Sequence, residues 1–478
     1  MTYYLDPFGC VKNQVDAENM MASLNRAGWT AAETAEHSDL IIVNSCGFIE
    51  SAKRESINAV LLWRRLYPEK KILLAGCLAQ RYAKELAGEL SEADGFFGTD
   101  DLSSIAEAAG KIMQSMTGGG SGVPKDSGGD LKCRTGERPL LSLPGSAYVK
   151  ISEGCDNRCS FCAIPLIRGG LKSRNIQDIM EECKTLLERG IKELCLVGQD
   201  TGSYGRDRKA ISAPIHGLPN LMEALSLLEG KFRIRLLYIH PDHFPKPILD
   251  IMEKNKRFLP YFDIPFQHGS EKILRLMNRK GNAETYLELI ETIRRRLPDA
   301  VIRSTFMTGF PGETEEDFGL LLDFQKKAGL DWLGCFTYSR EEDTPAFNMK
   351  GRVSKKTAAE RKRLVEETQV PITEKQMDRF IGRTFDVIVE EKFEPPISGP
   401  GGNYISERNE ISSDSVIYLG RLPCQAPEVD GSAVIHCPRP LELGAMVSCQ
   451  VIGRAGFDLE VRVPYFTHPE QYSNINHQ

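Results

Sequence analysis

Cys155-Asp-Asn-Arg-Cys159-Ser-Phe-Cys162 follows closely on the apolar run Ala-Tyr-Val-Lys-Ile at residues 147–151 and precedes a helical pattern. A strand that ends in a cysteine-bearing loop and then a helix is the first of six such units. The others are apolar runs at 193–197, 234–239, 261–264, 301–307 and 332–337, with helical patterns between them, among them 176–189, 283–296 and 315–328. Continuous apolar strands separated by helices form a parallel sheet covered by helices. Six consecutive units predict an open, partial (β/α) barrel, and its working end is the carboxyl end of the strands.

The same alternation governs the segment before it. Runs at 2–5, 39–44 and 71–75 read as three buried strands separated by helices at about 15–27 and 51–66, with a further helix after the third. Residues 116–129 are rich in Gly and Ser and supply no hydrophobic face, so they read as a flexible connector. Their Gly-Gly-Gly-Ser-Gly run is not a phosphate loop, because no strand precedes it and no helix follows. Beyond a charged helix at about 354–379 the period changes to two. Five short runs at 385–390, 415–419, 432–437, 446–452 and 458–463 predict a small antiparallel β-barrel. The expected division is 1–115, connector 116–140, barrel 141–376, small barrel 377–464 and tail 465–478. The fold class is thus multidomain α/β with an all-β C-terminal unit.

Composition agrees with an ordinary globular chain, 41% hydrophobic and 26% charged, and no stretch of 18 or more apolar residues suggests a membrane span. The first ten residues lack a cationic region followed by an apolar one, so a secretory signal is not expected and the expected location is cytoplasmic. Thirteen cysteines without an export signal point to metal-binding or core thiols rather than disulfides.

Three thiolates within eight residues form a tight tripod. A closed zinc site needs four ligands, and no fourth Cys or His is near in sequence. A [4Fe–4S] cluster on three cysteines keeps one iron open for a further ligand. Cys10, Cys46 and Cys77 are scattered, but each follows an apolar strand and precedes a helix. All three are therefore expected at the carboxyl edge of one parallel sheet, where ligand sites of open α/β sheets lie. Three convergent thiolates there suit a second cluster, again with one open iron. Cys133, Cys183, Cys195, Cys335, Cys424, Cys437 and Cys449 read as core thiols or bystanders.

These motifs resemble the methylthiotransferases, radical S-adenosylmethionine (SAM) enzymes with an N-terminal cluster domain, a barrel and a C-terminal TRAM domain. The resemblance covers nearly the whole chain outside the connector and the tail beyond Pro464. Phe8-Gly-Cys-Val-Lys-Asn13 with Asp16, and Asn44-Ser-Cys-Gly-Phe-Ile49 with Ala52 and Glu55, look like the RimO branch. So do Ala163-Ile-Pro-Leu-Ile-Arg-Gly169, Gln199-Asp-Thr201 and Tyr338-Ser-Arg-Glu-Glu-Asp-Thr-Pro345. Val11 where Pro is usual, Ser45 for the commoner Thr, and the long connector are departures that remove no cysteine.

The resemblance implies two [4Fe–4S] clusters and SAM as cofactors. It implies a SAM-binding cluster on Cys155, Cys159 and Cys162, and a sulfur-carrying auxiliary cluster on Cys10, Cys46 and Cys77, with the clusters and SAM carrying the catalysis. The implied reaction is methylthiolation of the β-carbon of an aspartate in small-subunit ribosomal protein S12. A MiaB-type tRNA methylthiotransferase is one alternative, and a non-catalytic iron–sulfur or zinc ribosome-binding scaffold another. Phe161, the aromatic residue before the last cysteine of the tripod, is a SAM-pocket candidate. Gln199, Gln267 and the turn Gly309-Phe-Pro-Gly-Glu313 are SAM-pocket candidates by their position at strand ends, and His268 beside Gln267 belongs to a segment that resembles a SAM-pocket motif.

Charge bears on the substrate. From Met377 onward eight Lys/Arg stand against fourteen Asp/Glu, which accounts for the whole chain's net −6. A surface that grips RNA neutralises phosphates with cations, so an acidic C-terminal barrel suits a basic protein partner and RNA is not expected as substrate. The basic runs at 294–296 and 355–363 read as solvated helix faces.

Overall fold

The computed structural model describes residues 1–114, 138–208, 217–393 and 416–464. The connector 116–129, Cys133 and the tail 465–478 lie outside the described residues. The N-terminal sheet has five parallel strands in the order Thr30–Ala31, Thr2–Pro7, Leu40–Ser45, Lys71–Gly76, Gly95–Phe97. The two edge strands, two and three residues long, are too short to show a period and are additions to the three expected. Leu40-Ile-Ile-Val is buried on both sides. Leu40 and Ile42 pack with Met20, Leu24 and Ile105, while Ile41 and Val43 pack with Val60, Leu78 and Leu86. The helix after Cys10 begins at once, Val11–Arg26, because Lys12, Asn13 and Gln14 are helical despite interrupting the apolar period. The helix after the third strand starts at Cys77 itself, Cys77–Glu89.

The central unit is an open six-stranded parallel sheet whose strands stand in chain order: Ser146–Lys150, Glu193–Val197, Arg233–Leu236, Phe258–Asp263, Val301–Thr308, Trp332–Thr337. Alternation along each strand sends one set of side chains out and the other in. Leu194 and Leu196 face the helices with Ile179 and Leu186. Cys195 and Val197 face the opposite way, with Tyr148, Tyr261, Val301 and Trp332.

That concave face is closed at the amino ends of its strands by the C-terminal barrel, whose Val387, Val389, Leu422 and Cys424 join the same core. Glu193, fully buried, ties the two units together. It accepts from Arg233, from Arg235 (3.0 Å) and from Arg421 of the small barrel (2.7 Å). Arg421 also reaches Glu390 (2.7 Å) and Ser146 Oγ (2.6 Å). Trp332 Nε1 donates to the Cys424 carbonyl (2.9 Å).

The small barrel is closed, with its strands around the ring in the order Thr384–Lys392, Val416–Arg421, Ala433–Cys437, Asp458–Arg462, Met446–Ala455. It is not wholly antiparallel: Ala433–Cys437 and Asp458–Arg462 run parallel. Five strands cannot alternate direction around a closed ring, so one parallel neighbour is unavoidable. Cys183, Cys195, Cys335, Cys424, Cys437 and Cys449 are buried, in keeping with core thiols.

Asp430 of the small barrel is buried at this junction. It accepts from Tyr261 OH (2.6 Å) and the Ala426 N–H (2.7 Å), and Arg303 stands 3.5 Å away. Burial pushes its carboxyl up to about 6, only partly offset by Arg303 and the two donors. A raised carboxyl means that the folded protein holds a proton the unfolded chain has released. The resulting stabilisation is complete below about pH 4 and is lost as pH rises through about 6. Asp430→Asn keeps an acceptor and removes the buried charge. The variant is expected to match the native protein near pH 4 and to exceed it by about 2–3 kcal/mol above pH 7, from roughly two pK units at about 1.36 kcal/mol each. Thermal unfolding of both proteins across that range is the check, and a constant gap between the two curves would contradict it.

Candidate active site: two cysteine trios at one mouth

The strands that precede Cys10, Cys46 and Cys77 are sheet neighbours, so their carboxyl ends are adjacent. The loops are tied to one another. Asn13 Nδ2 donates to the Phe8 carbonyl (2.6 Å) and the Ser45 carbonyl (3.2 Å), Asn44 Nδ2 donates to the Asn13 carbonyl (2.9 Å), and Ser45 Oγ donates to the Ala75 carbonyl (2.5 Å). Two glycines permit the approach. A Cβ at Gly47 would lie 2.6 Å from the Cys77 carbonyl oxygen. Gly76, at φ +94°, would put one 2.7 Å from the Ser45 carbonyl. Only residues without a side chain fit there.

The second trio sits on the loop after Ser146–Lys150. Cys155 N–H bonds the Gly169 carbonyl (3.1 Å) and Cys162 N–H the Cys159 carbonyl (3.0 Å). Ser160 anchors the loop through N–H to the Met277 carbonyl (3.1 Å) and Oγ to the Leu276 carbonyl (2.7 Å). Phe161 is buried among Ile273, Met277, Phe310 and Ala346, and Cys159 and Cys162 pack against that cluster. His240 Nε2 lies 3.9 Å from Cys159 Sγ.

The two trios meet. Cys77 is buried against Ala163 and Ile167, on the helix Ile164–Arg168 that begins just after Cys162. Arg168 Nη2 lies 3.0 Å from Cys77 Sγ and 2.9 Å from Asp16, while Nη1 lies 2.9 Å from Glu153. Lys150 bonds Asp16 and Glu153 (2.7 Å to the latter), and Gln199 Nε2 donates to Glu153 (2.9 Å). Two cations and two carboxylates thus staple the N-terminal unit, through Asp16 and Cys77, to the barrel mouth. A second clamp lies at the rim, where buried Glu341 pairs with Lys53 and Arg81, each at 2.8 Å.

Electrostatics distinguish the thiols. Burial pushes Cys46 and Cys155 up to about 11 and Cys162 to about 12, and raises Cys77 as well. Burial opposes ionisation at Cys10 too, but Lys12, Arg168 and the N–H groups of Asn13 and Lys12 outweigh it, so this thiol falls below its ordinary value. Cys10 is accessible to solvent. Burial pushes His240 down to about 3, with Arg279 adding to the effect, so its imidazole is neutral. For Glu153, burial would raise the carboxyl, but Arg168 and Lys150 hold it far below the usual range.

The donor set fits iron–sulfur clusters. Among the described residues no three His, Cys, Asp or Glu close on a single ion position. Tetrahedral zinc with bonds of about 2.3 Å needs its sulfurs only about 3.8 Å apart, whereas the cysteines of a four-iron cluster bind separate irons. The side-chain oxygens of Gln199 and Gln267 are buried without a partner, which leaves two acceptors free for a bound group. Gly309 and Glu313 lie one layer behind. Glu313 accepts from the N–H groups of Gly309 (2.7 Å) and Phe310 (3.2 Å) and from Arg361 (2.7 Å), and a Cβ on Gly309 would strike Ala358. Their turn reaches the site through Phe310, which packs with Phe161. His268 accepts at Nδ1 from the Ser270 N–H (2.9 Å) and turns Nε2 toward Glu313, away from the cysteines.

Three family models match in tandem: "Uncharacterized protein family UPF0004" over residues 2–98, the Radical SAM superfamily over 149–324 and the TRAM domain over 403–463. A ribosomal protein uS12 methylthiotransferase RimO from Treponema denticola is 45% identical, covering 95% of this chain and 99% of that protein. One of the same name from Syntrophomonas wolfei is 38% identical, covering 94% and 97%. The chain belongs to the RimO methylthiotransferase family. Among solved structures, the radical S-adenosylmethionine methyltransferase TsrM from Kitasatospora setae, with tryptophan substrate and a SAM analog bound, matches with a TM-score of 0.53. It is 15% identical over 72% of this chain and 74% of that one, a likeness of fold. Membership in the RimO family brings SAM and [4Fe–4S] clusters as cofactors.

Sequence reasoning did not single out Lys150, Glu153, Arg168 or Glu341 as site residues in their own right. The signal was there in Lys150, a charge between Val149 and Ile151 in an otherwise apolar strand. If the three loops must touch, Gly47→Ala should cost about 1–3 kcal/mol of stability, as overpacking does, and lower reconstituted iron from about eight to about four per chain while the Cys155 trio stays loaded. Iron analysis and thermal unfolding test this, and a fully loaded variant with native stability would contradict it.

Proposed function

We propose that the chain methylthiolates the β-carbon of an aspartate in ribosomal protein uS12. The observation that carries this reading is the packing of Cys77 against Ala163 and Ile167, just after Cys162, which supports both cysteine trios lying at one barrel mouth. Cys155, Cys159 and Cys162 would hold the SAM-binding cluster, and Cys10, Cys46 and Cys77 the auxiliary one. When bound, these groups supply one-electron cleavage of SAM and a transferable sulfur, chemistry that no side chain can perform on an unactivated C–H bond.

The protein's own part is positional. Phe161, Ile273, Met277 and Phe310 make a dry wall beside Cys159 and Cys162, keeping water from a reactive site. Gln199 and Gln267 offer their free oxygens to N–H or O–H donors of SAM. Neutral His240 stands beside Cys159 without adding charge. Arg168 balances a Cys77 thiolate and holds the two sites at a fixed separation.

The C-terminal region supports a protein substrate. It carries the chain's net negative charge, and Arg421, one of its eight cations, is buried against Glu193 and Glu390 instead of facing solvent. A ribosomal protein substrate also agrees with a cytoplasmic location, and no helix among the described residues is long and apolar enough to cross a membrane.

Given isolated uS12 and unmodified tRNA together, the reconstituted enzyme is expected to add a methylthio group to the protein alone, read by mass spectrometry. Modification of the tRNA alone would overturn the substrate assignment. Replacing Cys10, Cys46 and Cys77 with Ala should leave reductive SAM cleavage measurable and abolish methylthio transfer. Replacing Cys155, Cys159 and Cys162 should abolish both, and loss of cleavage in the first variant with its barrel folded would contradict the division of roles.

A further inference from the structure

The barrel mouth holds several inward cations, and nearly all are already paired. Lys150 and Arg168 share Asp16 and Glu153, and Arg303 faces Asp263 (3.3 Å) and Asp430 (3.5 Å). Lys12 differs. It lies in the first turn of Val11–Arg26, two residues from Cys10, and its side chain leaves the N-terminal unit to enter the barrel. There its Nζ sits 3.5 Å from the centroid of the Tyr238 ring. Among the described residues no carboxylate lies within ion-pair distance of it. Tyr238 itself is held at φ +62°, a conformation that costs free energy in a residue with a Cβ and that clusters at functional sites.

A ring face attracts an ammonium but occupies only one side of it. The remaining N–H donors of Lys12 are unused, and the residue is partly accessible, as is neighbouring Cys10. The backbone of Lys12 lies in the opening turn of the helix that begins directly after Cys10. One residue therefore stands beside the sulfur-ligand side in the chain and offers an unpaired cation with its side chain. A substrate aspartate needs both features together, because its β-carbon is one bond from its carboxylate.

We propose that Lys12 is the specificity residue for the target aspartate: its ammonium, preset on the Tyr238 ring, binds the side-chain carboxylate and presents the β-carbon beside Cys10. This rests on the uS12 reading above and adds the means by which a carboxylate is selected. A charge-assisted hydrogen bond contributes about 1.5–3 kcal/mol, so its loss should weaken binding about 10- to 100-fold.

The test measures binding of reconstituted enzyme to two uS12 peptides that differ only in Asp or Asn at the target position. The native enzyme should prefer the Asp peptide at least tenfold. Lys12→Met should lose that preference by weakening the Asp peptide alone, and Lys12→Arg should restore part of it. Iron content shows whether each variant keeps its clusters. Should Lys12→Met lose iron, Tyr238→Leu decides the question, since it removes the platform without touching the Cys10 segment and should also reduce the preference. If the native enzyme binds neither peptide nor intact uS12, the uS12 reading fails. If it binds uS12 but Lys12→Met, or Tyr238→Leu in its place, keeps the Asp preference, or if the native enzyme shows none, the assignment to Lys12 is overturned while the uS12 reading stands.

Discussion

Everything at the barrel mouth depends on how Arg168 is held. Its guanidinium is buried and touches a thiol from one folding unit, a carboxylate from the same unit and a carboxylate from the other. Buried ion pairs add little net stability, because desolvation cancels much of the attraction, yet removing one partner strands a charge at about 3–5 kcal/mol. Such a group therefore acts as a geometric lock. With Arg168, Lys150, Asp16 and Glu153 all present their charges balance, and any sliding of the N-terminal unit on the barrel would break several pairs at once. The separation of the two cysteine trios is set by that requirement.

The opposite end of the barrel sheet uses the same device for another purpose. Glu193, surrounded by Arg233, Arg235 and Arg421, fixes the small barrel against the amino ends of the strands. An open six-stranded sheet would leave its concave face wet, and Val387, Val389 and Leu422 cover the amino-terminal half of it. The carboxyl half is left for the chemistry. The C-terminal unit is thus a plug, and its deletion would expose apolar barrel interior.

The strand-end placement of the six cysteines was legible because strand, cysteine and helix follow one another three times in the N-terminal unit and because the tripod is contiguous. Three strands of the N-terminal sheet and all six of the barrel sheet were legible as apolar runs, with ends displaced by a few residues. What could not be read was pairing across the chain. Thr30–Ala31 and Gly95–Phe97 are strands only because a neighbour supplies their partners. Gly309 and Glu313 occupy strand-end positions that suggest a pocket, but Arg361, far along the chain, draws Glu313 toward the helix Lys355–Asp378. Lys12 belongs to the Phe8–Asn13 motif, but nothing local in the sequence indicates the aromatic ring that receives its side chain.

Counting charges by sequence also treats every ionisable group as if it were on the surface. In the C-terminal barrel the side chains of Glu390, Asp430 and Arg421 are buried, so they contribute to the junction with the larger barrel and not to the outer field. Setting aside two acids and one cation leaves twelve acids against seven cations in the sequence from Met377 onward. A region with so few cations neutralises few phosphates, and burying Arg421 takes the eighth out of reach.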